Sequence, residues 1–481
     1  MKLRLILRTA VITCVMLLCV GFVASWYFEI NDTEKSEDFD LYTLVPPTAL
    51  AVIDTDDVVQ LMQGINELQC SKDGHFLYFS QMFSHLKAHI NTLLDETPHG
   101  LSRQMSKMLI SFHEPDNMNN QVFYSRLGSG DRDFIDRFIQ KHCASMFTAK
   151  QFEYKGEEIK IYPLVDDSFL ACYFGPGYMA LSSEKRLIEE VIDALVDKRS
   201  ILNDSAFQQV RSSNRGAVLP ANIYMKADSI FDTWTEFSTQ MNTHALYFSG
   251  VSYEADKTDT CHSFTNKLRY QTPVERFPGD ILPASTFLFS KRSASDLQPL
   301  FDFIPTESSL VTCFFHAEDS VEKPSVIVSI PVKDEMNARR SFSALMATAP
   351  ERINNTFVTL TGVTSLASSV CSEFYDGRLI MAADSISLNS YMSAMEKGDI
   401  MVDHNPLYQE STSSLSHSYN FIMMADLEDV FSQPAEYMQF MPEFFFRHKE
   451  FFRHFLLSTQ IICTDGVIYP NIVLIYKGVR E

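Results

Sequence analysis

Glycine is scarce in this chain, at 17 of 481 residues, about half the usual share of roughly 7%. Few positions can therefore bring backbone close against a phosphate. No GxxxxGK[ST] loop occurs, and Gly128-Ser129-Gly130 lacks the third glycine of a dinucleotide fingerprint. There is no GxSxG nucleophile elbow. The absence of any CxxC removes both the zinc ribbon and the thioredoxin-type redox pair. Positive charge is short as well: 40 Lys+Arg stand against 61 Asp+Glu, a net charge of −21. That balance argues against nucleic acid, or an anionic membrane surface, as the main partner of the soluble part. Apolar residues are not lacking. They make up 46% of the chain and include 38 Phe, enough for large cores. At roughly 100–200 residues per domain, the length suggests two or three domains.

The N-terminus carries the orientation signal. Lys2, Arg4 and Arg8 precede a run from Thr9 to Phe28 without a formal charge. About twenty helical residues at about 1.5 Å each span a hydrocarbon core of about 30 Å. Trp26 and Tyr27 close the run, where aromatic rings favour the interface. The following stretch is acidic, with Glu29, Asp32, Glu34, Glu37, Asp38 and Asp40 against Lys35. Residues 1–8 are thus expected in the cytoplasm, 9–28 as a transmembrane anchor, 29–41 as an acidic linker, and the remainder in the periplasm. A cleaved signal peptide, with a site at Val23-Ala24-Ser25, is the competing reading.

Beyond the anchor lie seven cysteines: Cys70, Cys143, Cys172, Cys261, Cys313, Cys371 and Cys463. An odd, scattered set is a poor disulfide framework. Several lie in apolar strand-like runs, where a free thiol is a small buried hydrophobe; one or two disulfides are the alternative.

The soluble part reads as one domain written twice. The Pro-led entry strand at Pro46 matches Pro283, LISFHE at Leu109 matches TCFFHAE at Thr312, and Tyr178 in YMALSS matches Leu379 in LIMAAD. NIYMKAD at Asn222 matches NFIMMAD at Asn420, and each half ends in a hairpin, near Asp256 and near Asp465. The order of the matches, more than any one of them, carries the repeat. Repeat 1 is expected over 42–271 with a helical insertion near 62–108, and repeat 2 over 280–481; the boundary TPVERFPGD spans Thr272 to Asp280. Glu157 to Ser182 reads as a three-stranded meander followed by the helix RLIEEVIDALV. Short turns join antiparallel strands. The fold class expected is therefore α+β, two tandem homologous lobes with antiparallel sheets and packed helices.

The short anchor, the L-x-P-x-x-A-x-A-V entry strand, the SFH strand and the GYMALSS strand before a helix resemble a Bacteroidetes family of membrane-anchored envelope proteins of unknown function. The resemblance implies a periplasm-facing protein and brings no functional residues with it.

Candidate chemistry is sparse. His85 and His89, at i and i+4, share a helix face and could chelate zinc, with His99 nearby. The motif lacks the Glu of HExxH, so solvated helix histidines are the plainer reading. His113 and His316 fall at matching strand ends, near Glu114 and Glu318, and suggest a duplicated site or ordinary strand-end polarity. Asp54, Asp56 and Asp57 could bind a divalent cation, but Val59 and Ile65 stand where an EF-hand loop needs Gly and Glu. Capping of the next helix explains them better. FMPEFFFRHKEFFRHF, Phe440 to Phe455, reads as an aromatic, basic helix, for core packing or the membrane surface. Trp234, Phe237 and Met241 are expected on its counterpart helix.

Catalytic, cofactor-binding and metal residues are therefore expected to be absent. The expected function is non-enzymatic binding or scaffolding in the cell envelope, anchored in the inner membrane. A protein, peptide or acyl-chain ligand would sit in an inter-lobe cleft. An envelope hydrolase with a site assembled from non-sequential residues, perhaps using His113 or His316, is the alternative.

Overall fold

The computed structural model describes residues 39–478 except 75–105, 115–116, 118, 129–130, 144–146, 165–167, 214–219, 227–232, 254–263, 270, 318–322, 364–365, 367–368, 434–436 and 438–439. The expected anchor, most of the acidic linker and most of the helical insertion lie outside the described residues. Among those residues no helix is long and apolar enough to cross a membrane. The chain divides into two compact units: Met1–Gln63 with Tyr78–Met225, and Gly64–Leu77 with Lys226–Glu481. The Thr272–Asp280 stretch, expected between the halves, falls inside the second unit.

Unit 1 is built on strands β1 (Ala51–Thr55), β2 (Met108–Phe112), β3 (Gln121–Arg126), β4 (Lys150–Tyr154), β5 (Glu157–Pro163), β6 (Phe169–Gly175), β7 (Tyr178–Ser182) and β8 (Asn222–Lys226). All the pairings are antiparallel, in the order β8–β1–β2–β3–β7–β6–β5–β4. The meander over 157–182 is as the sequence suggests; β4, preceding it, was not legible. Helix α1 (Val58–Glu67) follows β1, and Asp57 caps it by accepting the Gln60 N–H at 3.0 Å. Helix α2 (Asp131–Phe138) covers one face of the sheet, packing Ile135 with Cys172 and Met179. Helix α3 (Lys185–Val196) buries Leu187, Ile188, Val191 and Ile192. It lies on the other face, against β3, β5, β6 and β7.

Unit 2 carries β9 (Trp234–Met241), β10 (Ala245–Ser252), β11 (Val274–Glu275), β12 (Thr286–Ser293), β13 (Ser309–Phe315), β14 (Ser325–Pro331), β15 (Cys371–Tyr375), β16 (Arg378–Ala382), β17 (Ser418–Tyr419), β18 (Phe421–Asp426), β19 (Phe455–Thr464) and β20 (Val467–Tyr476). Its sheet runs β9–β10–β20–β19–β18–β12–β13–β14–β16–β15, again antiparallel. Helices α4 (Glu335–Thr348) and α5 (Pro350–Thr361) cover one face, packing Phe342 and Phe357 with Leu288, Phe314 and Met381. Helices α6 (Ser385–Lys397), α7 (Met401–His404) and α8 (Pro406–Ser413) cover the other, packing Tyr391 and Tyr408 with Phe289, Cys313 and Ile380. Cover on both faces explains why β13 and β14 read as mainly apolar runs without alternation.

The order β8–β1–β2–β3–β7–β6 recurs in unit 2 as β18–β12–β13–β14–β16–β15. Val52 pairs with Ser111 and Tyr224, as Phe289 pairs with Cys313 and Met424. Gly177 (φ 82°) and Gly377 (φ 68°) hold like turns, and Glu184 and Asp384 stand at like helix N-caps. The ladders then match in register with these slips from the sequence alignment. Phe112 matches Phe314, not Phe315; Tyr178 matches Arg378, not Leu379; and Asn222 matches Ile422, not Asn420. The first two are slips of one residue, which exchange the faces of a strand, and the third, of two, keeps the face; strands apolar on both faces give no sign of the exchange in sequence.

Two expected helices are also corrected. Residues 234–241 form β9, paired to β10; Trp234, Thr235, Glu236 and Phe237 are all buried, so both sides of the strand are covered. Apolar spacing there mimics a helix by coincidence. Phe440 to Phe455 breaks into α9 (Glu443–Arg447) and α10 (Lys449–Phe452), and Phe455 already begins β19. Pro442 precedes the first turn, and His448 (φ −106°, ψ 32°) separates the two.

Candidate functional site

The most polar part of unit 1's core lies on its α3 face. Ser111 on β2 and His113, just past its end, are two residues apart in extended chain, so their side chains share a face. Ser111 Oγ lies 2.8 Å from His113 Nε2 and 2.9 Å from the Tyr124 hydroxyl. His113 Nδ1 lies 2.9 Å from Thr48 Oγ1, which donates to Glu190 of α3 at 3.0 Å. Thr48 uses its proton on Glu190, so a neutral imidazole donates from Nδ1 to Thr48 and accepts at Nε2 from Ser111. Donation therefore runs from Tyr124 through Ser111, His113 and Thr48 to the Glu190 carboxylate, which accepts. Arg186 closes it at the surface, bonding Glu190 at 2.6 Å and Glu114 at 3.3 Å. Burial, aided by the Arg186 charge, lowers the His113 pKa to about 4, so the ring is neutral at pH 7. Burial also pushes the Tyr124 hydroxyl well up.

This is the hydrogen-bond order of a serine hydrolase with Thr48 interposed. Access is what it lacks: Ser111 is 0% exposed, and Tyr124 is equally buried behind it. Sequence reasoning singled out His113 but missed Ser111, although their spacing of two was legible. Thr48 and Glu190 lie too far off in sequence to be placed.

His316, expected to match His113, stands elsewhere. The matched ladders put Phe315 at the place of His113, Cys313 at Ser111 and Ser329 at Tyr124. His316 is half-exposed, stacked on Phe287 at 4.8 Å, with Nε2 3.2 Å from Asp429 Oδ1. The bond to Asp429 raises its pKa, against a smaller effect of burial. Glu318 lies outside the described residues.

The acidic cluster is likewise occupied from within. Asp54 Oδ2 accepts from the Tyr42 hydroxyl at 2.8 Å, and Lys107 Nζ lies 2.6 Å from Asp56 and 3.7 Å from Asp54. A lysine ammonium sits where a cation would. Burial raises the Asp54 pKa, with Lys107 opposing. At the matching position of unit 2, Lys291 donates to the carbonyls of Glu275 and Arg276 at 2.7 and 2.6 Å. Burial, helped by Arg378, brings its ammonium down to about 8. Those carbonyls belong to a strap, 275–281, also held by Tyr419, Tyr408 and Tyr391. Arg378 in turn donates to Ser329 Oγ at 2.6 Å.

His85, His89 and His99 lie outside the described residues. Among the described residues no three His, Cys, Asp or Glu are grouped to hold a metal ion. Cys70 and Cys172 are buried, and Cys313 and Cys463 are buried free thiols. The aromatic 440–455 segment packs largely inward, with Phe445, Phe446 and Phe451 against the α4 side of the core and Phe444 46% exposed. A surface groove of about 350 Å³, lined by Asp296, Leu297, Leu300, Arg352 and Thr356, lies on α5.

No family model and no curated protein matches the chain. Crystal forms III and I of TP0453 match at 10% identity, over 74% of this chain and 99% and 98% of theirs, with TM-scores of 0.23 and 0.21. A likeness that slight carries no argument.

Proposed function

We propose a non-enzymatic, single-pass extracytoplasmic binding or scaffolding protein of the bacterial cell envelope, its two units descended from one duplicated domain. The kind of protein is the one implied by its resemblance to the Bacteroidetes envelope family. One observation carries the reading: matched positions on matched faces hold unlike chemistry. Asp54 stands against Lys291, Ser111 against Cys313, His113 against Phe315 and Tyr124 against Ser329. A duplicated catalytic site would keep its reacting groups in at least one accessible copy. Here the polar groups bond one another or the backbone, so they serve the fold and leave binding to the exposed surfaces.

Two measurements test this. In a strain lacking the protein, the S111A and H113N variants should restore whatever phenotype the parent chain restores. Loss of rescue by variants that still fold would overturn the non-enzymatic reading. The chain should also stay with the membrane through a carbonate wash, and release would refute the anchor.

The hydrolase alternative rests on the 2.8 Å contact between Ser111 and His113. A fluorophosphonate probe decides it: labelling of the native protein, abolished by Ser111→Ala, would replace the binding reading.

A further inference from the structure

Strand β4 is paired on one side, to β5, and β15 on one side, to β16. An open strand edge is a template for another strand, and proteins usually block it. The β15 edge is blocked. Arg339 donates to the Phe374 carbonyl at 3.3 Å and to Glu373 at 3.2 Å, and its guanidinium lies 4.8 Å from the Phe374 ring centroid. On β4 the Lys185 ammonium stands over the Phe152 ring, 5.5 Å from its centroid, but among the described residues no side chain bonds a β4 backbone carbonyl. Gln151 bonds Glu158 and Tyr154 bonds Asp193, both through side chains directed away from the free backbone.

The side chains of β4 reinforce the contrast. Across the unit 1 sheet, Phe152 pairs with Ile159, Ile159 with Tyr173, Tyr173 with Ala180, and Ala180 with Tyr124. Every member of that row is buried except the last, Phe152, which is 42% exposed. The apolar row thus runs off the covered sheet onto an open edge. Phe147 and Phe169, 77% and 57% exposed, lie toward the Lys150 end of the same strand.

We infer that β4 pairs antiparallel with β4 of a second copy, about Phe152. The sequence Lys150-Gln151-Phe152-Glu153-Tyr154 is self-complementary in that register alone. It sets Phe152 against Phe152, Gln151 against Glu153, and Lys150 against Tyr154. Centring on Glu153 would oppose two carboxylates, and centring on Gln151 would oppose Lys150 to Phe152. Like charges directly opposite destabilise a strand pair, whereas aromatic pairs stabilise it. A two-fold axis through Phe152 closes the pair, so growth stops at a dimer. Five residues a side fall well short of the roughly 1,600 Å² of a standard interface, so the dimer is reversible.

Cysteine crosslinking in the full chain, in its own membrane, tests this. With the parent chain and its native thiols as the baseline, F152C should give a covalent dimer on mild oxidation. Q151C and E153C should crosslink when co-expressed and much less when each is alone. F152E, which opposes two carboxylates at an exposed site, should cut the dimer trapped by an amine crosslinker by about tenfold, the equivalent of about 1.4 kcal/mol. The proposal falls if F152C gives no more dimer than the parent. It also falls if Q151C and E153C crosslink as well alone as together, which would mark random collision.

Discussion

Asp54 on β1 and Lys291 on β12 hold the same place in the six-strand order that the two sheets share, yet they bury opposite charges. Unit 1 answers its carboxylate with Tyr42 and Lys107. Unit 2 answers its ammonium with two carbonyls of the strap before β12. Along the same faces, the Ser111, His113 and Tyr124 network corresponds in register to Cys313, Phe315 and Ser329. The strand order depends on apolar strands, turns and caps that both units keep. A buried polar position can change sign or lose its polarity provided each group finds a partner, because only the unpartnered state is costly.

Charge reversal should break the comparison most severely. Lys291→Asp would point a carboxylate at two carbonyl oxygens, and Asp54→Lys would face Lys107. Each should cost about 3–5 kcal/mol in urea unfolding, the range for a buried charge stripped of its partner. Lys291→Met, which strips the lysine from the Glu275 carbonyl and leaves the Arg276 carbonyl to Tyr419, should cost about 1–3 kcal/mol. If Lys291→Met were silent, the strap would not depend on this lysine.

Acid should separate the units next. His113 has a folded pKa of about 4, below its ordinary 6.5. Above pH 6.5 the ring is neutral in both states and has no effect. As pH falls from 6.5 towards 4, the unfolded chain takes up a proton that the folded chain refuses. Stability therefore drops, by about 3 kcal/mol at the limit. Unfolding free energies measured over that window should show this slope in the parent chain and a shallower one in His113→Asn. Identical slopes would sink the assignment.

How much of this the sequence carried depends on the residue. Short turns and apolar runs were enough for the meander over β5–β7 and for an antiparallel α+β fold. Asp57 was legible as a helix cap because capping is local. Face and register were not, since β13 and β14 are buried on both sides and a slip of one residue leaves their pattern unchanged. This is why sequence alone pairs His316 with His113. The Ser111–His113 contact had a local signal in its spacing of two. Thr48 and Glu190 join it only through tertiary pairing, which no periodicity encodes.

Within unit 1, Ser111→Ala should strand both the Tyr124 hydroxyl and His113 Nε2, at about 1–3 kcal/mol. Adding Tyr124→Phe removes one of the stranded groups, so the double variant should be less destabilised than the sum of the singles. Additive costs in denaturant unfolding would mean that the three groups do not act as a network.

The smallest effect belongs to His316, and its sign is opposite to that of His113. Asp429 favours the imidazolium, so the folded pKa stands above the unfolded one. The stabilisation is fully present below the unfolded value near 6.5 and is lost as pH rises through the raised folded value. Because the pair is half-exposed, solvent and salt screen it, and His316→Ala should cost under about 1 kcal/mol at pH 6 and less at pH 8. Acidification should then weaken unit 1 through a histidine sealed in the core while slightly strengthening unit 2 through one at the surface. Following His113 and His316 by NMR titration in the folded chain would show the first resisting protonation and the second accepting it early. If both titrated near 6.5, burial and Asp429 would have no hold on either ring, and this difference between the units would vanish.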